Sequence, residues 1–428
     1  MYGLVNKYTI VKDSNKNPFF YLSNLIIYIL AVFSIYSPFY TLLYYNQISA
    51  LFVFFWFAFT VLDTPKFILT PSKHHFAIYV FIIYTITFPY IMGNDVIGNR
   101  YFILAQIPLF YLAYQKNKLY NKQKTNYLII LCVMPFIIIT SFITLNAYAL
   151  DPFISRKIKK TELGFEFMSS GIGGYEFVYF LVICATILLY VVFNKELQFT
   201  KRQKTFGLFL LLLISTNIIM SNYSIALYLL LLSFIVRVFI KSINKKSTLV
   251  FAIFAFFLLF ISIQIFAATV LNWLIDLSGD SLYASRFIEI KQYIISNQMG
   301  DLLQDRFYYW RESVDVFLEY PIGGAVQSQL FYTNNRLFGF GQHSQILDTF
   351  ALFGTGIGLL QFYVLLQPIY LRIKTKNNFY SGLSLMLFIQ TIILLTLNNA
   401  TPSIGFALFF IFPTVYDWQQ KHSLVTQN

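Results

Sequence analysis

Four arginines, Arg286, Arg306, Arg311 and Arg336, and a histidine, His343, are grouped around one polar stretch, Asn272 to Gln342, of a chain that is otherwise mostly apolar. A guanidinium stays charged at any relevant pH and grips phosphate or carboxylate oxygens two at a time. An imidazole, with an ordinary pKa of about 6.5, takes up or gives a proton near neutrality. A second group of cations, Arg156, Lys157, Lys159 and Lys160, lies between Ala147 and Tyr175, ahead of Glu162, Glu166 and the run Gly171-Ile172-Gly173-Gly174. That group is either a solvated loop or a place where an anionic lipid-linked phosphate is drawn in. Cys132 and Cys184 fall inside apolar runs and make neither a disulfide framework nor a zinc site. No Asp-x-Asp motif is present to hold a divalent ion, and no metal or cofactor is expected.

The elements that position these residues are membrane helices. Of 428 residues, 57% are hydrophobic and only 11% charged, where a soluble domain carries about 25% charged. Runs such as Leu249–Val270 and Phe206–Met220 hold no charge, and a helix needs roughly 20 apolar residues to cross a bilayer. The runs lack the alternation of barrel strands, which leaves helices as the spanning form. The fold expected is all-α: a polytopic integral membrane protein with about twelve transmembrane helices. The spans fall near 19–40, 43–62, 76–92, 101–114, 127–146, 175–193, 206–220, 222–240, 249–270, 344–367, 380–397 and 403–416. Residues 1–428 form one membrane-embedded domain, with 271–343 as a large extracytoplasmic loop containing short helices.

The net charge of +13 reads as topology rather than as nucleic-acid binding. With the N-terminus in the cytoplasm and sides alternating, cytoplasmic segments hold 21 of the 31 Lys and Arg residues against four acids. The other face holds ten cations and 14 acids, as the positive-inside rule requires. An even number of spans returns the C-terminal tail to the cytoplasm. The first apolar run is of span length and lacks a small-residue cleavage site, so it is not a cleavable signal. Most of the 32 Tyr and 49 Phe belong to aromatic belts and lipid-facing packing.

Within the large loop, Asp301 to Tyr320 predicts a helix with Arg306, Trp310, Ser313 and Phe317 on one face. Pro321 stops it, and Gly323-Gly324 lets the chain fold back. Then Gln342-His343-Ser344-Gln345 opens a span whose first half carries Gly354, Gly356 and Gly358, small residues that let neighbouring helices approach. This ordered set resembles the signature region of the O-antigen polymerase and O-antigen ligase superfamily (the Wzy type). Members show an Arg, a Trp four residues on, a Pro-x-x-Gly-like turn, and a His opening a helix with Gly-x-x-Gly. Three departures stand out: His343 precedes Ser344 rather than Asn, the glycine element is stretched, and Ser221-Asn222-Tyr223-Ser224 lacks a family arginine, for which Arg286 could substitute.

The resemblance implies a polysaccharide polymerase for O-antigen or capsule in the bacterial cytoplasmic (inner) membrane. Such an enzyme transfers a growing glycan from undecaprenyl pyrophosphate to the next lipid-linked repeat unit. The alternatives are a ligase moving finished polymer onto a lipid A core and, from a different class, a lipid-linked oligosaccharide flippase. A flippase needs charged residues buried near the midplane, and the spans read as nearly free of charge. The implied catalytic residues are His343, as general base or acceptor-orienting group, and Arg306 and Arg286, as pyrophosphate ligands. The plainer readings are a helix cap for His343, and ion pairs with Asp305 and Glu289 for the two arginines. Substrate-binding candidates are Arg311, Trp310, Arg156 and Lys157. Arg311 has Asp315 as an alternative i+4 partner, and Trp310 is either packing or a sugar platform. Implied partners are the undecaprenyl-pyrophosphate-linked oligosaccharide, membrane lipids and a chain-length regulator protein. His74, His75 and His422 receive no catalytic role.

Overall fold

The computed structural model describes residues 17–41, 45–91, 95–151, 154, 163–194, 199–239, 271–279, 284–285, 287–288, 291–292, 301–325, 344–373 and 378–425. Among them the architecture is helical. The principal helices are α1 (Pro18–Ile35), α2 (Tyr45–Asp63), α3 (Lys73–Ile91), α4 (Asp95–Leu119), α5 (Gln123–Leu150), α6 (Tyr175–Val192), α7 (Lys201–Met220) and α8 (Ser224–Phe239). They continue with α9 (Asp301–Glu319), α10 (Gln345–Ile373), α11 (Asn378–Leu397), α12 (Pro402–Phe406) and α13 (Phe412–Val425). A helix occupies every predicted span position except 249–270, which lies outside the described residues. Six of them, α1, α2, α5, α6, α7 and α10, are long and apolar enough to cross a membrane. Their outward faces carry large apolar side chains, Phe54 66% and Leu212 69% exposed among them, as lipid-facing helices do. The protein is a helical, multi-pass membrane protein.

Local chemistry starts and stops these helices. Asn17 caps α1, its side chain accepting from the Phe19 amide at 3.1 Å, and Pro18 takes the first helical position, where no amide is needed. Thr200 and Gln203 form a reciprocal capping box at α7. Many hydroxyls inside the apolar runs bond back to their own helix, as Thr85 does to Phe81 O at 2.8 Å, which gives a buried donor a partner within the helix.

The chain divides into two compact units, residues 1–140, 165–173 and 401–428, and residues 141–164 and 174–400. In the first, α4 packs against α2, α3 and α12. Its polar centre is a buried ion pair, Lys116 Nζ to Asp63 Oδ2 at 2.9 Å, with side chains 2% and 0% exposed. Lys116 also donates to Ser23 Oγ at 2.8 Å, and Asn17 Nδ2 donates to the other Asp63 oxygen at 3.0 Å. Beside it, Asn117 donates to Asn24 and Asn126, each at 2.7 Å. Both charged residues lie just beyond the predicted spans 43–62 and 101–114. α4 runs five residues past the predicted end at 114, carrying Lys116 inward against the last residue of α2. His74 and His75 are buried in the same unit. Burial, aided by neighbouring His74, pushes the His75 imidazole down to about 4, so it packs as a neutral ring against Phe67.

In the second unit α6 is the centre, nearly all of it buried, with α7, α8 and α11 packed around it; α10 lies on α11, and α9 on α10. A buried amide ties three of these together: Gln390 Nε2 lies within 2.9 Å of Thr186 Oγ1 and 2.8 Å of Ser233 Oγ. At the start of the polar stretch, Phe287 packs on Leu271, and Lys291 donates to Asn272 Oδ1 at 2.7 Å.

Removing one member of a buried pair strands the other's charge, at a cost of about 3–5 kcal/mol, whereas replacing both with apolar residues is often neutral. Lys116→Met is expected to lower the thermal stability of the detergent-solubilised protein sharply, and the double substitution Lys116→Met, Asp63→Leu to recover most of the loss. A single variant as stable as the wild type would show that the pair is not the centre of this unit.

Candidate functional site

The polar stretch meets the helical framework at a clasp between backbone groups. α9 ends before Pro321, and the Gly324 amide donates back to Tyr320 O at 3.1 Å. Gly323 and Gly324 take the left-handed conformation, φ 89° and 71°. Opposite them α10 is broken: Gly354 sits at φ 73°, ψ −174°, outside helical geometry. Thr355 donates to Pro321 O from both its amide and its hydroxyl, each at 2.9 Å, and Ile322 bridges to Gly354. A methyl group at Gly324 would collide with the Leu352 carbonyl, and one at Gly354 with the Gly323 amide. The predicted continuous span from 344 is thus interrupted nine residues after α10 begins. The broken backbone is tolerated because the turn beneath it supplies the missing partner. The three glycines divide their work: Gly354 makes the break, the space at Gly358 holds the ring of Phe350 from the same helix, and Gly356 faces open space.

Above the clasp, α9 and the first turns of α10 run in the same direction and in register. Ser313 meets Asp348, Phe317 stacks edge-on against Phe350 with ring centres 5.6 Å apart, and Pro321 meets Thr355. Asp348 is 2% exposed, and Ser313 Oγ lies 3.0 Å from its Oδ1 and 3.1 Å from Tyr309 O. The hydroxyl has one proton, so it donates to one of these two acceptors at a time. The start of α10 is pinned as well. Ser344 Oγ accepts from the Leu347 amide at 3.3 Å as a cap. The Gln345 amide donates to Asn398 O, and its side-chain Oε1 accepts from the Ala400 amide, both at 3.0 Å. Gln345 Nε2 donates to Thr349 Oγ1 at 2.9 Å. Three elements thereby meet at the first turn of α10.

The predicted site residues are placed unevenly. Trp310 is half-buried on α9, its ring edge-on to Phe307 with centres 5.6 Å apart, and its Nε1 is buried with no hydrogen-bond partner among the described residues. Arg311 is exposed and pairs with Asp315 at 3.7 Å, the i+4 alternative; with both partners mostly in water such a pair contributes little. Arg306 lies on the backbone of α9 in its opening turns. His343, Arg286, Arg156 and Lys157 lie outside the described residues. Asp348 was not singled out from the sequence. The signal was there: a lone acid five residues into an apolar run, which inside a membrane protein points to function by default.

No family model matches the chain, and a search of curated proteins gives no match either.

The clasp makes Gly324, Gly354 and Gly356 unequal. Gly324→Ala and Gly354→Ala combine a left-handed backbone, itself about 1–2 kcal/mol unfavourable for an L-residue, with collision against backbone. Both are expected to lower melting temperature and yield of folded protein. Gly356→Ala, in open helical space, is expected to be neutral or slightly stabilising, by up to about 1 kcal/mol. Equal tolerance of all three, measured by thermal stability in detergent, would refute the clasp.

Proposed function

We propose that the chain is a polysaccharide polymerase of the bacterial cytoplasmic membrane, with about twelve spans, cytoplasmic termini and the 271–343 segment on the outer face. It transfers a growing glycan from undecaprenyl pyrophosphate to the next lipid-linked repeat unit. The observation that carries this reading is the register of α9 on α10. Ser313 faces Asp348, Phe317 faces Phe350, and Pro321, just past the end of α9, faces Thr355. α9 carries Arg306 and Trp310, and α10 begins at Gln345, which follows His343 and Ser344 in the sequence.

The proposed chemistry uses Arg306 and His343 together. The acceptor hydroxyl attacks the anomeric carbon, His343 takes the hydroxyl proton, and the bond from that carbon to the pyrophosphate oxygen breaks with its electron pair. Negative charge grows on the departing diphosphate. Arg306 and Arg286 offer fixed positive charge there without reorganisation, and such preorganised charge is the main source of rate enhancement in most catalysis of this kind. Arg156 and Lys157 draw in the anionic headgroup, Arg311 adds positive charge at the rim of α9, and Trp310 offers its ring to a sugar face. The predicted spans are nearly free of charge, which disfavours a transporter.

His343→Ala and Arg306→Ala are expected to abolish long-chain glycan while leaving the protein's abundance in the membrane unchanged; losing a general base alone costs about 10²–10⁴-fold. Cells lacking the chain are expected to accumulate single lipid-linked repeat units on a gel. Glycan of normal length in both variants would end the assignment. Long unattached chains in the deletion would point to ligation, and repeats trapped on the inner leaflet to transport.

A further inference from the structure

α9 turns more apolar surface outward than a helix of a polar segment needs. Its inner face is buried through Ser313 and Val316, with Ser313 on Asp348 of α10. The outer surface is divided lengthwise. On one side Phe307, Val314 and Leu318 are exposed, Leu318 to 68%, at the seven- and four-residue steps that keep side chains on one helical stripe. On the adjoining side stand Arg311, Asp315 and Glu319, each one turn from the next and all exposed. An apolar stripe of this kind, rimmed by charge, marks a surface that another apolar body covers.

The stripe runs directly into the lipid-facing side of a spanning helix. Ile322, 87% exposed, bridges to Gly354, and Pro321 accepts from Thr355. From Thr355 the exposed side of α10 continues through Leu359, Tyr363 and Tyr370. Span length fixes the depth. Residues 355–373 of α10, at about 1.5 Å each, reach roughly 28 Å, close to the hydrocarbon thickness of about 30 Å. The part of α10 ahead of the break, with α9 packed on it, is therefore surplus to the crossing and free to lie at the bilayer surface. A side-by-side division into apolar and acidic halves suits that boundary and neither of the two phases alone.

We infer that α9 is a membrane-surface helix. Phe307, Val314, Leu318 and Ile322 dock on the acyl chains at the edge of the neighbouring leaflet, and Asp315 and Glu319 face water. Helices of this kind sink their apolar side about 5–10 Å into the boundary between headgroups and acyl chains. The lipid contact stands apart from the polymerase reading. Its consequence for the reaction rests on that reading: α9 meets a lipid-linked substrate at the level of the headgroup.

The test uses the full-length protein in nanodiscs, in a Cys132→Ala, Cys184→Ala background. Leu318→Cys, Ile322→Cys, Asp315→Cys and Glu319→Cys each carry one fluorescent label, with Tyr363→Cys as the lipid reference. One quencher is a nitroxide placed high on the acyl chain of the nanodisc lipid; the other is aqueous iodide. Labels at 318 and 322 are expected to be quenched several-fold more by the lipid nitroxide than those at 315 and 319, with iodide giving the reverse order. Iodide reaching position 318 as readily as 319 overturns the inference, because the helix then stands in water. A label at 318 that neither quencher reaches overturns it too, because protein, a second copy or another chain, then covers the face. A second measurement needs no substitution in the helix: the wild type is irradiated in nanodiscs whose lipid carries a photoreactive group high on its acyl chain. Adducts are expected on Phe307, Val314 or Leu318 as well as on 355–373; adducts on 355–373 with none on α9 overturn the inference. Neither readout involves glycan, so failure here leaves polymerisation standing, and loss of the polymerase reading leaves the lipid contact standing.

Discussion

The Pro321 carbonyl, taken up by the amide and hydroxyl of Thr355, is the contact on which the candidate site depends. A helix broken inside a membrane protein needs a partner for the amides it frees, and a polar insert needs a fixed point from which to present its side chains. One backbone contact answers both needs. It forms only because Gly324 and Gly354 lack the Cβ atoms that would hold the strands of backbone apart. From that point the Ser313–Asp348 bond and the Phe317–Phe350 ring pair extend the register upward, so α9 is a rigid arm on α10 rather than a free helix in a loop.

The interior is more polar than a chain of this composition suggests, and its polarity is organised in two ways. In the first unit, charge is neutralised within the protein: Lys116 and Asp63 face each other, with Ser23 and Asn17 filling the remaining bonds. In the second, Gln390 draws Thr186 and Ser233 into one buried set that ties α6, α8 and α11 together. The polar group at the mouth of α10 is different in kind. Its carboxylate lies 3.0 Å from the Ser313 hydroxyl, while Asn398 Nδ2 and Trp310 Nε1 are buried without a hydrogen-bond partner among the described residues.

Much of this was legible in the sequence, and the exceptions have physical causes. Apolar run length located the helices, and Pro321 with Gly323-Gly324 located the end of α9 and its turn, since those residues act through local backbone geometry. The break at Gly354 was not legible. A glycine in an apolar run looks the same whether it admits a neighbouring helix or reverses φ, and only the Pro321 turn decides which. Burial of Lys116 was missed because a helix does not stop where its apolar run stops. Asp348 was counted among the outer acids, since charge tallies by segment do not reveal which way a side chain at a segment boundary turns. Arg311 was legible as an i+4 partner of Asp315, a pairing set by helix pitch alone.

We propose that Arg306 and His343 act in one site, with α9, which carries Arg306, held on α10 through Ser313 and Asp348. Cysteine pairs at 306/343 and, as a reference, 313/348, in a background with Cys132→Ala and Cys184→Ala, test it in native membranes. The crosslinker is a thiol-reactive one of about 10 Å reach, one helix-packing distance. The account predicts that both pairs crosslink within the same chain at comparable rates. Efficient crosslinking at 313/348 with none at 306/343 would contradict it.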